Sequence, residues 1–327
     1  MPRRYTGESM DFLFRDAEGG PLCPRGSVVC IGAFDGLHLG HQALLRHAAT
    51  RAHVLGVPAV ALAFEPLPRE FFAPDDPPPR LMLPRGKVLG VREAGMHGIG
   101  LLRFNQAMTR MPAESFIEQV LVRRLAAHEV WVGPDFRFGN QRRGDLALLR
   151  AEGARHGFSA HAIEPFRLEG ERVSSSAIRQ ALAGGDFARA ERLLGRPYAI
   201  SGRVVRGRQL GRTLGFPTAN LRFPRKPALQ GIYATRVHGV GEAPWPSVSS
   251  FGTRPTVDGI EPLLEAHLFD FDGDLYGRHI AVEFVARLRD EARFDTLDAL
   301  TTQMHEDARH ARRLLSTEPD FHQAACA

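Results

Sequence analysis

The chain has 327 residues, 43% hydrophobic and 24% charged, with a formal net charge of +5. That length favours two domains, and the composition is ordinary for a soluble globular protein. No apolar run is long enough to span a bilayer, and the basic start Met1-Pro2-Arg3-Arg4-Tyr5 lacks the apolar segment of a secretory signal. Cys23, Cys30 and Cys326 are too few and too scattered for a disulfide framework or a zinc site, so a cytoplasmic setting is expected. The basic residues, nearly all Arg, form pairs such as Arg123-Arg124 and Arg142-Arg143 rather than a stripe. No aromatic RNA-binding motif or recognition-helix pattern accompanies them. The basicity reads as solvated surface plus phosphate-binding residues, with neither a nucleic-acid nor a membrane partner.

In chain order, the first strong signal follows the apolar run Val28-Val29-Cys30-Ile31. It reads Gly32-Ala33-Phe34-Asp35-Gly36-Leu37-His38-Leu39-Gly40-His41, a strand running through a glycine-rich turn into a helix. Backbone N–H groups at a helix start face incoming phosphate, and the helix dipole favours its charge. Gly32, Gly36 and Gly40 allow a tight turn and close approach of a ligand, while His38 and His41, three apart, share one face. The pattern indicates a nucleoside triphosphate site of the His-x-Gly-His type, with Phe34 and Asp35 inside the turn.

Further strands are expected at 59–64, 98–104, 129–132 and 160–165, with helices at 42–55, 115–127 and 145–156. Continuously apolar strands alternating with helices indicate a parallel sheet covered on both faces. Its ligand end is the carboxyl end of the strands. The proline-rich stretch 74–84 reads as a surface loop. Val132-Gly133-Pro134-Asp135-Phe136-Arg137-Phe138-Gly139 follows another strand. Asp135 would hydrogen-bond a ligand and Phe136 would pack under one, or the stretch is a glycine-bounded loop with buried aromatics. Ser174, Ser175 and Ser176 precede a helix carrying Arg179 one turn in. They either cap that helix or cradle a phosphate held by the Arg179 fork.

After a short helix at 186–194, the periodicity changes to two. Candidate strands at 199–205, 232–240, 247–251, 263–271 and 279–288 have no crossover helices between them, so an antiparallel, closed barrel is expected. A helix at 296–315 puts Leu297, Leu300, Met304, Ala308, Ala311 and Leu315 on one face for packing on that barrel. The stretch 207–220 carries Gly207, Gly211, Arg212 and Gly215 ahead of Pro217-Thr218-Ala219-Asn220. It is either a hairpin loop or a phosphate-facing loop, in which Thr218 and Asn220 share a side and offer hard oxygen ligands suited to Mg²⁺. In Leu263-Leu264-Glu265-Ala266-His267-Leu268, Glu265 and His267 share the face opposite Leu264, Ala266 and Leu268. A carboxylate there faces solvent or acts as a general base lining a cavity.

Taken together, 32–41, Phe64-Glu65-Pro66, 132–139, the Ser-Ser-Ser-x-x-Arg stretch, 215–220, Gly252-Thr253-Arg254-Pro255-Thr256, 265–267 and Asp274-Leu275-Tyr276-Gly277 resemble the prokaryotic bifunctional riboflavin kinase/FAD synthetase family. The resemblance runs from about residue 12 to 316. It implies an α/β plus β architecture: a Rossmann-like FMN adenylyltransferase domain at 1–185, a linker helix at 186–198, and a six-stranded antiparallel barrel with a C-terminal helix, the riboflavin kinase domain, at 199–327. The implied partners are riboflavin, FMN, FAD and ATP, with Mg²⁺ as cofactor. Arg254, with Asp135 and Phe136, is implied to contact flavin. Glu265 would take the ribityl proton, whereas His38, His41 and Arg179 would stabilise charge during adenylyl transfer. Two departures stand out: Ser250 occupies a position where Asn is common in the family, and Leu67 separates Pro66 from Pro68 where a polar residue is frequent. The other readings are a different His-x-Gly-His nucleotidyltransferase, against which 199–327 argue, and a basic nucleic-acid-binding protein.

Overall fold

The computed structural model describes residues 11–207, 211, 214–256 and 259–317. They fall into two compact units. Pro84–Ser175 joins the residues before Pro79, and Pro79–Leu83 joins the residues from Ser176 onward.

The first unit is built on a six-stranded, all-parallel sheet. Its strands are β1 (Phe12–Phe14), β2 (Ser27–Ile31), β3 (Ala59–Glu65), β4 (Gly98–Arg103), β5 (Ala127–Val132) and β6 (Ser159–Ala162), in the order β1-β4-β3-β2-β5-β6. Every residue of β2 is buried, as expected for a central parallel strand covered on both faces. The helices are α1 (Leu39–Leu55), α2 (Pro68–Phe72), α3 (Pro84–Glu93), α4 (Gln106–Arg110), α5 (Ala113–Phe116) and α6 (Leu146–His156). Helix α1 ends where Gly56 takes the left-handed conformation, φ 68°, and α6 starts on an Asp145 side-chain cap. The helix expected over 115–127 is instead a short α5 followed by a π-helix at Ile117–Arg124. A two-stranded hairpin, β7 (Arg167–Leu168) and β8 (Glu171–Arg172), leads to α7 (Ser175–Ala183).

The second unit is a closed antiparallel barrel. Strands β9 (Ala199–Val205), β10 (Ala219–Arg222), β11 (Gly231–His238), β12 (Trp245–Thr256), β13 (Gly259–Leu268) and β14 (His279–Arg289) follow the order β10-β13-β12-β11-β14-β9, and β9 pairs with β10 to close it. Period-two alternation sends Leu264, Ala266 and Leu268 of β13 into buried positions. Helix α9 (Leu297–Thr317) lies on the barrel, with Ala308 and Ala311 packed in a cluster with Phe216, Val248 and Phe269. Helix α8 (Phe187–Leu194) is capped by the Asp186 carboxylate and ended by Gly195 at φ 71°.

Two placements differ from expectation. The 74–84 stretch is not simply a surface loop. Arg80 is fully buried, its backbone N–H donates to the Lys226 carbonyl at 2.8 Å, and Tyr198 donates to the Leu81 carbonyl at 3.1 Å. Proline-rich composition signals an extended chain, but it does not say which surface that chain lies on. Helices α7 and α8 also group with the barrel rather than standing before it. Phe187 packs edge-on against Tyr233 at 5.9 Å and stacks with Phe284 at 6.4 Å, and Tyr198 meets Phe284 at 5.8 Å. A fragment of residues 199–327 removes both aromatics from that cluster. Loss of a buried aromatic side chain costs about 3–5 kcal/mol. The fragment is therefore expected to melt well below one of residues 176–327, with circular dichroism as the measurement.

Candidate functional site

In the first unit, loop 32–38 leaves the carboxyl end of β2. The Gly32 N–H donates to the Leu62 carbonyl of the neighbouring β3 at 3.0 Å. Phe34 and Leu37 both have positive φ, 50° and 48°, which non-glycine residues rarely adopt, and Gly36 lies between them at 83°. Phe34 and Asp35 are buried, so the turn is tightly held. His38 is the N-cap of α1, and its Nδ1 accepts the His41 backbone N–H at 3.2 Å. With Nδ1 accepting, the neutral His38 ring carries its proton on Nε2, where it is a donor. The His38 and His41 rings stack with centroids 3.7 Å apart and planes at 15°, and Phe34 packs edge-on against His41 at 5.3 Å. A Cβ on Gly40 would stand 3.2 Å from the His38 ring, so the side chain's absence lets the imidazole lie along the helix start. Burial, then the neighbouring His38 and Lys87, holds the His41 pKa well below the ordinary imidazole value. His41 Nδ1 has no hydrogen-bond partner among the described residues.

Ser175 Oγ donates to the Asp35 carbonyl at 2.9 Å, which ties the serine motif directly to the glycine turn. Ser174 precedes α7, Ser176 lies in its first turn, and the Arg179 Nε donates to the Pro79 carbonyl at 2.5 Å. Asp135 is exposed and accepts a hydrogen bond from Arg172 at 2.7 Å. Phe136 stacks on Phe138 at 5.3 Å and packs against the unit's core.

The barrel carries the second constellation. Glu265 of β13 is in register with Asn220 of β10 on one side and Ser250 of β12 on the other. A cavity of about 220 Å³ lies over this wall, lined by Gly211, Phe216, Thr218, Glu265 and His267 and by Met304 of α9. His267 Nδ1 is 2.9 Å from the Pro217 carbonyl, to which it must be the donor. Burial lowers the His267 pKa. A second, more polar cavity of about 520 Å³ is lined by Arg206, Thr218, Asn220, Asp272, Asp274 and Tyr276. The Arg206 guanidinium lies over the Tyr276 ring at 5.4 Å. Thr218 lines both cavities. Thr218 and Asn220 are in direct contact: Asn220 Nδ2 donates to the Thr218 carbonyl at 3.0 Å and to its hydroxyl at 3.3 Å. Asn220 Oδ1 is buried without a hydrogen-bond partner among the described residues. A Cβ on Gly207 would come within 2.6 Å of that oxygen. An orphaned amide oxygen beside a hydroxyl, kept open by a glycine, fits a small hard cation. Gly215 takes φ 80° in the same loop; Arg212 and the Arg254 side chain lie outside the described residues.

Sequence reasoning passed over two groups. Asp307 of α9 lines the Glu265 cavity and takes a forked bond from Arg289, with Nε at 2.9 Å and Nη2 at 2.6 Å. Its signal was a carboxylate inside the apolar stripe of that helix. The other is Lys87, buried with Val91 on the inner face of α3.

The FAD synthetase family matches residues 21–177 and the riboflavin kinase family matches residues 194–315. A bifunctional riboflavin kinase/FMN adenylyltransferase of Escherichia coli (strain K12) is 45% identical, over 90% of this chain and 95% of that protein. One from Pseudomonas fluorescens is 46% identical, over 89% of this chain and 93% of that protein. A crystal structure from Streptococcus pneumoniae, described as a macrolide-efflux protein, superimposes with a TM-score of 0.70 at 29% identity, covering 93% of this chain and 99% of that one. No helix among the described residues is long and apolar enough to cross a membrane. With both half-chains matched in order, and relatives matched over nearly their whole length, the chain belongs to the bifunctional riboflavin kinase/FMN adenylyltransferase family.

Proposed function

We infer that the chain phosphorylates riboflavin with ATP to FMN and then adenylylates FMN with a second ATP to FAD, releasing pyrophosphate. The observation that carries this reading is the presence of two separate constellations on one chain, each in the half matched to the corresponding family.

In the barrel, the apolar cavity suits the flavin ring and the polar one suits the nucleotide, with Thr218 where they meet. Glu265 would take the proton of the terminal ribityl hydroxyl as its oxygen attacks the γ-phosphorus. Thr218 and Asn220 would hold Mg²⁺, which when bound neutralises phosphate charge. Gly207, Gly211, Gly215 and Arg212 would form the phosphate-facing loop, and Arg254 would contact flavin. In the adenylyl transfer, the FMN phosphate attacks the α-phosphorus directly, so no covalent enzyme intermediate is required. Loop 32–40 and Ser174, Ser175 and Ser176 would cradle the triphosphate, with His38, His41 and Arg179 stabilising the charge that builds on it. Phe136 would offer flavin an aromatic face and Asp135 a hydrogen bond. Two buried free thiols, Cys23 and Cys30, both pushed up in pKa by burial, support a cytoplasmic setting.

Incubation with riboflavin and MgATP, followed by chromatography of the flavins, is expected to show FMN appearing first and FAD second; absence of both overturns the reading. Asn220→Ala tests the cation site. Loss of one hydrogen-bonding or ligating group to a charge costs about 1.5–3 kcal/mol, roughly ten- to a hundred-fold. The half-saturating Mg²⁺ for riboflavin phosphorylation should rise by that factor, whereas adenylylation of supplied FMN should be unchanged.

A further inference from the structure

Lys87 is 0% exposed, the only lysine among the buried described residues. Its Nζ lies 3.9 Å from Glu65 Oε2, within ion-pair range but beyond hydrogen-bond length. Glu65 is the last residue of β3, at the same carboxyl edge of the sheet from which loop 32–38 departs. Helix α3 presses directly on that loop: a Cβ on Gly90 would stand 2.3 Å from Leu37 Cδ1, and Leu37 immediately precedes His38. Lys87 and Gly90 are three apart and so share the face turned to the loop. Lys87 is also close enough for its charge to bear on His41.

An ammonium withdrawn from water is expensive even when paired. A position that only needed packing would be served by Met or Leu, which fill similar space at no electrostatic cost. What Lys87 adds is a positive charge that solvent does not screen, next to a turn built to receive an anion. The two stacked imidazoles cannot supply that charge well, since protonating either one places a cation against its neighbour and beside Lys87.

We propose that Lys87 is a positioning residue of the adenylyl-transfer half-reaction, a fixed buried cation beneath the His38–His41 pair whose field draws and holds the polyphosphate of ATP and of the departing pyrophosphate. This rests on the assignment of FMN adenylylation to the first unit. Glu65 anchors the ammonium in place, and the imidazoles remain neutral hydrogen-bonding groups while Lys87 supplies the charge.

The test is the double variant Lys87→Met/Glu65→Gln in the full chain, which removes both charges together and leaves neither buried alone. FAD formation from FMN by the unaltered chain is measured first, so a failure of the adenylylation assignment shows itself separately. Riboflavin phosphorylation on the same variant chain reports folding. The expected result is a roughly 10- to 100-fold loss of FAD synthesis, with inhibition by inorganic pyrophosphate weakened by a similar factor and FMN formation unchanged. FAD synthesis and pyrophosphate inhibition within twofold of the original overturn the proposal. If the double variant fails to fold, Lys87→Arg and Lys87→Gln replace it: Arg, which keeps the charge, should retain at least about ten times the FAD synthesis of Gln. Equal losses for the two overturn the proposal.

Discussion

Glu265→Gln is expected to lower FMN formation from riboflavin by about 10²- to 10⁴-fold, the usual contribution of a positioned general base. The physical case rests on where the carboxylate stands. Leu264 and Ala266 turn into the barrel core, so the alternation of β13 forces Glu265 to the other side. There it lines the cavity closed by α9, flanked in register by Asn220 and Ser250. Gln keeps the size and hydrogen-bonding shape but cannot accept a proton, so packing stays intact while proton transfer is lost. Adenylylation of supplied FMN should continue unchanged, because Glu265 is a residue of the barrel, whereas His38 and His41 belong to the first unit. Both half-reactions are measured by flavin chromatography on one preparation. A variant that phosphorylates riboflavin at the original rate shows that Glu265 is not the base.

The pairing of Glu265 with His267 was legible because a strand's period of two leaves little freedom: an acidic residue between Leu264 and Ala266 must face away from them. The turn from Gly32 to His41 was legible for a related reason, since an apolar strand, spaced glycines and a helix start allow few backbone paths. What the sequence did not show was the detail that fixes the chemistry. Nothing in the spacing of His38 and His41 says that one Nδ1 caps the helix or that the rings stack. Strand β10 is only four residues long and sits in a glycine- and proline-rich stretch, so its pairing with β13 arises from closure of the barrel rather than from local propensity. Arg80 and Leu81 look like loop residues until the barrel supplies the carbonyl of Lys226 and the hydroxyl of Tyr198. The π-helix at 117–124 kept the apolar face that the sequence shows, with Val120 and Leu121 buried, but widened the turn before Ala126 at φ 43° and the start of β5. Lys87 was invisible for the opposite reason: lysine on a short helix is nearly always solvated, and its burial here comes from tertiary packing that the sequence pattern does not show.

His38→Ala and His41→Ala should each depress FAD synthesis from FMN by about two orders of magnitude or more, as for removal of one preorganised charge-stabilising donor. The two substitutions act differently on the same structure. His38→Ala removes the donor Nε2–H and also the acceptor for the His41 N–H, so the first turn of α1 loses its cap, a cost of about 1 kcal/mol to the helix start. His41→Ala leaves the cap in place but removes the ring on which His38 stacks and against which Phe34 packs. Stacked 3.7 Å apart, both rings charged at once would repel by about 4 kcal/mol at an effective dielectric near 20. The two rings are therefore not both charged at once, and losing either ring removes the stacking partner of the other. His38→Asn separates capping from catalysis, since Asn caps a helix well but cannot reproduce an Nε2–H at the imidazole's reach. It should restore the melting temperature of the Ala variant without restoring FAD synthesis. Riboflavin phosphorylation should be unaffected in all three variants. Equal loss of both activities would mean that the histidines act through folding of the whole chain rather than at the adenylylation step.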